Sequence, residues 1–199
     1  MTEVKICGLR RSEDIEYVNK YLPEYAGFVF SNSRRRVDIE KAVILAKNLA
    51  GGVKKVGVFA DEKTDFVKLV AYEVGLDVIQ FHGLEDDFYM EDFKEFELWK
   101  AFEVKDKLYS KQIKFRNADG ILFDSGKGGS GKAFDWNFIK NLRTDKKVIL
   151  AGGICMDNVE RALAMINPDV LDVSSGVETS GVKDQEKIKK LIQKVRERN

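Results

Sequence analysis

Val148-Ile149-Leu150-Ala151-Gly152-Gly153 and Val170-Leu171-Asp172-Val173-Ser174-Ser175-Gly176 are two short apolar runs, each ending in small residues, with an amphipathic stretch, Met156–Ile166, between them. Apolar β-type runs stopped by glycine or serine read as buried parallel strands, and the helical period between them makes the whole a β-α-β unit. Working outward, the same alternation fills the chain. Further strands are expected at Val4–Cys7, Ala26–Phe30, Lys55–Phe59, Asp77–Phe81, Leu98–Phe102 and Gly120–Asp124. Helical stretches are expected at Ser12–Tyr21, Asp38–Leu49, Lys63–Val74, Asp86–Phe96, Lys105–Phe115, Asp135–Leu142 and Asp184–Arg198. Ser12 followed by Glu13 and Asp14, and Asp157-Asn158 ahead of Val159, supply helix-start signals. Eight strand–helix units without a linker predict an α/β fold, a single-domain (β/α)8 TIM barrel over residues 1–199. An open doubly wound sheet of that size would carry a long connection or an inserted domain, and neither is visible.

At 199 residues, 44% hydrophobic and 34% charged, the chain can bury a core and is not of disordered type. Its 34 Lys and Arg balance 33 Asp and Glu, which argues against a nucleic-acid partner. No apolar run reaches the ~20 residues of a membrane span. The first residues run straight into a strand, so a cytoplasmic protein with no membrane partner is expected. Two cysteines, Cys7 and Cys155, fit a reducing compartment better than a disulfide scaffold. Monomer and homodimer are equally compatible with this composition.

In such a barrel the C-terminal ends of the strands converge on one face, which carries the site. The residues at those ends are Cys7, the cluster Ser33-Arg34-Arg35-Arg36 after Phe30, Asp61, His82, Asp124, Gly152-Gly153 and Ser174-Ser175. Cys7 would act as a base in its thiolate form, which requires its pKa to fall from about 8.5. The plainer alternative is a small buried apolar residue. Asp124 closes the apolar run Ile121-Leu122-Phe123, where apolar neighbours are expected to raise its pKa and suit it as a general acid. Alternatively it caps the Ser125-Gly126 turn.

One of Arg34, Arg35 and Arg36 can grip a carboxylate through a bidentate pair, and the others read as solvated charge. His82 either hydrogen-bonds substrate or satisfies a local carbonyl. One histidine makes no metal-ligand constellation, so neither metal nor cofactor is expected. Gly152-Gly153 and Ser174-Ser175, after the seventh and eighth strands, offer backbone amides to a phosphate. The segment Gly126–Ala133 nearly spells a nucleotide P-loop, but Ala133 stands where a hydroxyl would hold Mg²⁺. It reads instead as a glycine-rich loop over the site, with Ser130 and Gly131 near the phosphate. A thiol and a carboxyl at equivalent strand ends, beside phosphate loops, suggest an acid–base isomerase of a phosphorylated small molecule.

Val4-Lys5-Ile6-Cys7-Gly8, Gly27-Phe28-Val29-Phe30, Ser33 with Arg35, Val56-Gly57-Val58-Phe59, Gln80-Phe81-His82-Gly83, Phe123-Asp124 through Gly129–Trp136, Ala151-Gly152-Gly153 and Asp172–Glu178 follow in order across nearly the whole chain. In that order they closely resemble the phosphoribosylanthranilate isomerase family of tryptophan biosynthesis. The resemblance implies an Amadori rearrangement without cofactor or metal. It implies that Asp124 protonates the ribose ring oxygen, that Cys7 takes the C2 proton, and that Arg35 is the best match for the arginine on the anthranilate carboxylate. Phosphate would rest on Gly152, Gly153, Ser174 and Ser175. The chain departs from the family pattern at Arg10 and Ala133, where threonine is common. The loop before the arginines lacks the usual proline and is one residue short, which leaves Arg34, Arg35 and Arg36 open. A related isomerase of histidine biosynthesis uses aspartates at both strand ends, against Cys7 here. A catalytically silent barrel would lack Cys7 or Asp124.

Overall fold

In the computed structural model, which describes residues 1–106, 113, 115–126 and 133–198, eight parallel strands close into a barrel in sequence order. They are β1 (Glu3–Cys7), β2 (Tyr25–Val29), β3 (Lys54–Phe59), β4 (Val78–Phe81), β5 (Glu97–Glu103), β6 (Gly120–Asp124), β7 (Lys147–Leu150) and β8 (Val170–Val173). Closure comes from β8 pairing back onto β1, with Glu3 opposite Val170 and Ile6 opposite Val173. The barrel expected from the sequence is present.

Strand alternation sorts the side chains into two sets. Outward residues such as Val4, Ile6, Ala26, Phe28 and Phe81 form the core beneath the helices. Inward residues, among them Tyr25, Val56, Val78, Trp99, Leu122, Ile149 and Val170, fill the barrel interior. Near the C-terminal mouth a small layer of Cys7, Val29 and Val58 packs together. The opposite end is closed by an ionic cluster. There Glu97 accepts from Lys147 at 2.7 Å, Trp99 Nε1 at 2.9 Å and Lys54 at 3.0 Å.

The helices are α1 (Ser12–Tyr21), α2 (Ile39–Lys47), α3 (Thr64–Val74), α4 (Asp87–Met90), α5 (Val159–Met165) and α6 (Gln185–Arg196). Ser12 does not cap α1. Asp14 reaches back instead and accepts from the amides of Arg10 and Arg11 at 3.0 and 3.1 Å. The stretch expected as helix over Asp86–Phe96 is α4 running into a 3₁₀ turn, Glu91–Phe93. That over Asp135–Leu142 shrinks to a 3₁₀ turn, Trp136–Phe138. Asp135 caps its start by accepting from the Asn137 amide, but the turn ends at Phe138. The Lys105–Phe115 expectation falls largely outside the described residues.

One element was not foreseen. Between β8 and α6 lies a hairpin, β9 (Glu178–Thr179) with β10 (Val182–Lys183). Ser180 and Gly181 both take positive φ, 52° and 79°, as a two-residue hairpin turn of the primed type requires. No helix among the described residues is long and apolar enough to cross a membrane.

Candidate active site

A cavity of about 470 Å³ opens at the C-terminal ends of the strands. Cys7, Arg35, His82, Asp124, Gly152, Gly153, Ser174 and Ser175 all line it. Gly131 lies outside the described residues, as do Ser130 and most of the glycine-rich loop. Asp61 does not line the cavity and instead accepts from the Leu84 amide. Cys7 ends β1, 8% exposed, and its carbonyl accepts from Ser174 Oγ at 2.9 Å, which ties the β8 loop to the thiol's backbone. Both Cys7 and Cys155 are free thiols.

Cys7 contradicts the sequence expectation that its pKa falls: burial, with Asp172 adding to it, outweighs the pull of Lys5 and Lys183 and holds the thiol above its ordinary value. Asp124 contradicts the sequence expectation. Burial acts in the expected upward direction, but His82 Nε2 at 3.4 Å from Oδ2 and Ser125 Oγ at 3.2 Å from Oδ1 outweigh it. The carboxyl is therefore held below its ordinary range. Its apolar strand neighbours matter less than a histidine arriving from β4.

The three arginines separate cleanly. Arg36 is exposed and does not line the cavity. Arg34 lines the cavity but is exposed, with a long 3.4 Å contact to Glu178. Arg35 is buried and grips Glu178 through Nε at 2.7 Å and Nη2 at 2.9 Å, so its guanidinium plane is fixed. Lys183 also reaches Glu178, at 2.9 Å. Burial outweighs that contact and lowers the lysine, which makes Arg35 the firmer partner. Burial opposes the charge on Glu178, yet Arg35 and Lys183 hold its pKa down to about 2.

On the far side of the cavity, Gly152 takes φ +76°. A Cβ there would stand 2.6 Å from the Ser125 amide and 2.7 Å from Asp124 Oδ1. Only glycine lets the β7 loop pass this close to the carboxylate. Gly176 is equally confined, since a Cβ would strike the Ile154 carbonyl, so the β7 and β8 loops lie backbone to backbone. Together they form one continuous polar wall.

A family model described as N-(5'phosphoribosyl)anthranilate (PRA) isomerase matches residues 4–194. The chain belongs to that family. An N-(5'-phosphoribosyl)anthranilate isomerase of Clostridium kluyveri is 51% identical over 196 residues, covering 98% of each chain. The crystal structure of the phosphoribosyl anthranilate isomerase from Thermus thermophilus superposes with a TM-score of 0.92, at 35% identity over 100% of both chains. A second isomerase structure, in complex with reduced 1-(o-carboxyphenylamino)-1-deoxyribulose 5-phosphate, matches with a TM-score of 0.84 at 31% identity, covering 99% of this chain and 100% of that one. The chain is an isomerase, and its reaction is isomerisation of phosphoribosylanthranilate in tryptophan biosynthesis.

For a phosphoribosylanthranilate isomerase, several polar residues of this mouth escaped the sequence reading as site residues: Lys5, Gln80, Asp172, Glu178 and Lys183. The first three carried a signal. Each is a polar residue in the middle of an apolar strand, where an unpaired polar group is costly, so each had to have a partner inside the barrel. Glu178 and Lys183 belong to the unforeseen hairpin.

Proposed function

We propose that this cavity converts N-(5'-phosphoribosyl)anthranilate into 1-(2-carboxyphenylamino)-1-deoxyribulose 5-phosphate, with Asp124 as general acid and Cys7 as general base. The observation that carries the assignment is that Cys7 and Asp124, at the ends of β1 and β6, open into one cavity. Asp124 delivers a proton to the ribose ring oxygen, and the C1–O bond breaks to give a protonated Schiff base. Cys7 then removes the C2 proton as a thiolate, and the enolamine tautomerises to the ketone. C1 gains what C2 loses, so the conversion is an intramolecular aldose–ketose oxidoreduction. It balances without an external electron acceptor. His82 and Ser125 favour the ionised carboxylate, so Asp124 acts as the acid in the fraction that has taken up a proton.

Arg35 faces the anthranilate carboxylate, its orientation fixed by Glu178. His82 contacts the sugar beside the acid. The phosphate rests on Gly152, Gly153, Ser174 and Ser175, with Gly131, which lies outside the described residues, as a further contact. Residues 1–199 act as one catalytic barrel domain in the cytoplasm, as a monomer or homodimer, on a small phosphorylated substrate.

The test is loss of anthranilate-type fluorescence from freshly generated phosphoribosylanthranilate, followed for wild type beside Cys7→Ala. Rapid decay with the wild type alone supports the assignment. Equal decay with both proteins removes Cys7 from the mechanism.

A further inference from the structure

Lys5 on β1, Gln80 on β4 and Asp172 on β8 form a polar layer inside an otherwise apolar barrel. Lys5 precedes Cys7 by two residues, so strand alternation turns both side chains inward. Gly27, opposite Cys7 in register, leaves the space they share. A Cβ on Gly27 would lie 2.9 Å from Cys7 Sγ and 3.1 Å from Lys5 Cε. The lysine stem and the thiol thus meet over one missing side chain.

The Lys5 ammonium is fully buried and donates to Asp172 Oδ2 at 2.8 Å and Gln80 Oε1 at 2.7 Å. An ammonium has donors only, so Gln80 must present its oxygen to Lys5 and its NH₂ group elsewhere. That group lies 3.2 Å from His82 Nδ1. Nδ1 is then an acceptor, which puts the proton of the neutral imidazole on Nε2, facing Asp124 Oδ2 at 3.4 Å. The buried ammonium thus orients the Gln80 amide and, through it, the His82 ring nitrogen that faces Asp124.

We propose that Lys5 and Gln80 are positioning residues that set the protonation pattern at both ends of the site. Lys5 supplies the counter-charge that lets Cys7 exist as thiolate, and Gln80 makes His82 donate to Asp124. The inference rests on the reading of Cys7 as base and Asp124 as acid.

The charged groups facing Cys7 are Lys5 from its own strand, Asp172 from β8, Lys183 from the hairpin and Arg35 from the β2 loop. Asp172 and Cys7 hold the Lys5 ammonium charged, though burial alone would discharge it. Asp172 Oδ1 has no hydrogen-bond partner among the described residues, which leaves an acceptor open in the same layer. Asp124 is faced by His82 from β4 and by Ser125 next to it.

The direct test needs no substitution. His82 is the single histidine of the chain, so its ¹⁵N imidazole resonances read one tautomer without ambiguity. The neutral ring is expected as the Nε2–H form in the wild-type enzyme, and the Nδ1–H form overturns the proposal. In Gln80→Glu the new carboxylate accepts from both Lys5 and His82, so the ring must change to Nδ1–H or become protonated. An unchanged Nε2–H ring in that variant also overturns the proposal.

At the base end, the pH midpoint of Cys7 alkylation by iodoacetamide is read by mass spectrometry on its own peptide. Lys5→Met is expected to raise that midpoint by about one pH unit or more, and an unmoved midpoint refutes the role of Lys5. Where the single variant fails to fold, Lys5→Met with Asp172→Leu removes the pair whole, a change that buried ion pairs tolerate better. The same upward shift, smaller in size, is required. A Cys7→Ala enzyme that still turned over would sink the base assignment, yet the alkylation and tautomer readouts would stand on their own.

Discussion

Cys7 and Asp124 were legible as single residues because each stops an apolar run at the place where a barrel strand delivers its last side chain. On the proposed mechanism, replacing either removes one proton transfer, and such steps contribute about 10²–10⁴ in rate. Cys7→Ala and Asp124→Asn are each expected to lower kcat by that order in the fluorescence assay. Binding of a reduced product analogue, followed by titration, should stay within a few-fold of wild type. The ionisation of Asp124 was not legible. Its strand shows apolar neighbours, while the group that decides its charge, His82, comes from β4 and is near only after the barrel closes. Arg35 carries a second prediction at this scale. Glu178→Gln leaves the guanidinium without its fixed bidentate partner, so KM should rise more than kcat falls. A fall in kcat alone, with KM untouched, would separate Arg35 from substrate binding.

The strands were legible as elements and several helices were not, for a physical reason. All eight strands are buried on both faces, and an apolar run of fixed length survives any local context. The segment after Phe134 carries a proper cap, Asp135 on the Asn137 amide, yet forms only the 3₁₀ turn Trp136–Phe138, because a cap signals where a helix starts and not how far it runs. The β9–β10 hairpin was present as Ser180-Gly181, yet its strands of two residues each are too short to show alternation. The paired glycine loops were read as phosphate cradles, but closeness to Asp124 imposes a second constraint on Gly152. Gly152→Ala places a methyl 2.7 Å from Asp124 Oδ1 at a backbone angle that L residues avoid. The variant should lose at least as much kcat as substrate affinity. Loss of affinity alone would confine Gly152 to the phosphate.

Across the whole molecule, carboxylates secure both ends of the barrel, Glu178 buried and Glu97 partly buried. Glu97 closes the N-terminal end, where burial would raise its pKa but Lys147, Trp99 and Lys54 bring it below the ordinary value. Glu178 joins the hairpin to the β2 loop at the mouth, with its pKa held to about 2. An unfolded glutamate titrates near 4.3, roughly. Between that pH and the folded value the unfolded chain binds protons that the folded chain refuses. Stability from these groups is therefore complete above about pH 5 and drains away as the solution is acidified through the folded pKa. Urea midpoints should be level from pH 7 to 5 and fall progressively toward pH 2. Glu178→Gln strands Arg35 and Lys183 at the mouth and should destabilise the enzyme by about 3 kcal/mol at neutral pH. The variant should also lose less on acidification than the wild type, since the group responsible for part of the slope is gone. Parallel acid profiles for the two proteins would assign the slope to Glu97 and the N-terminal cluster instead.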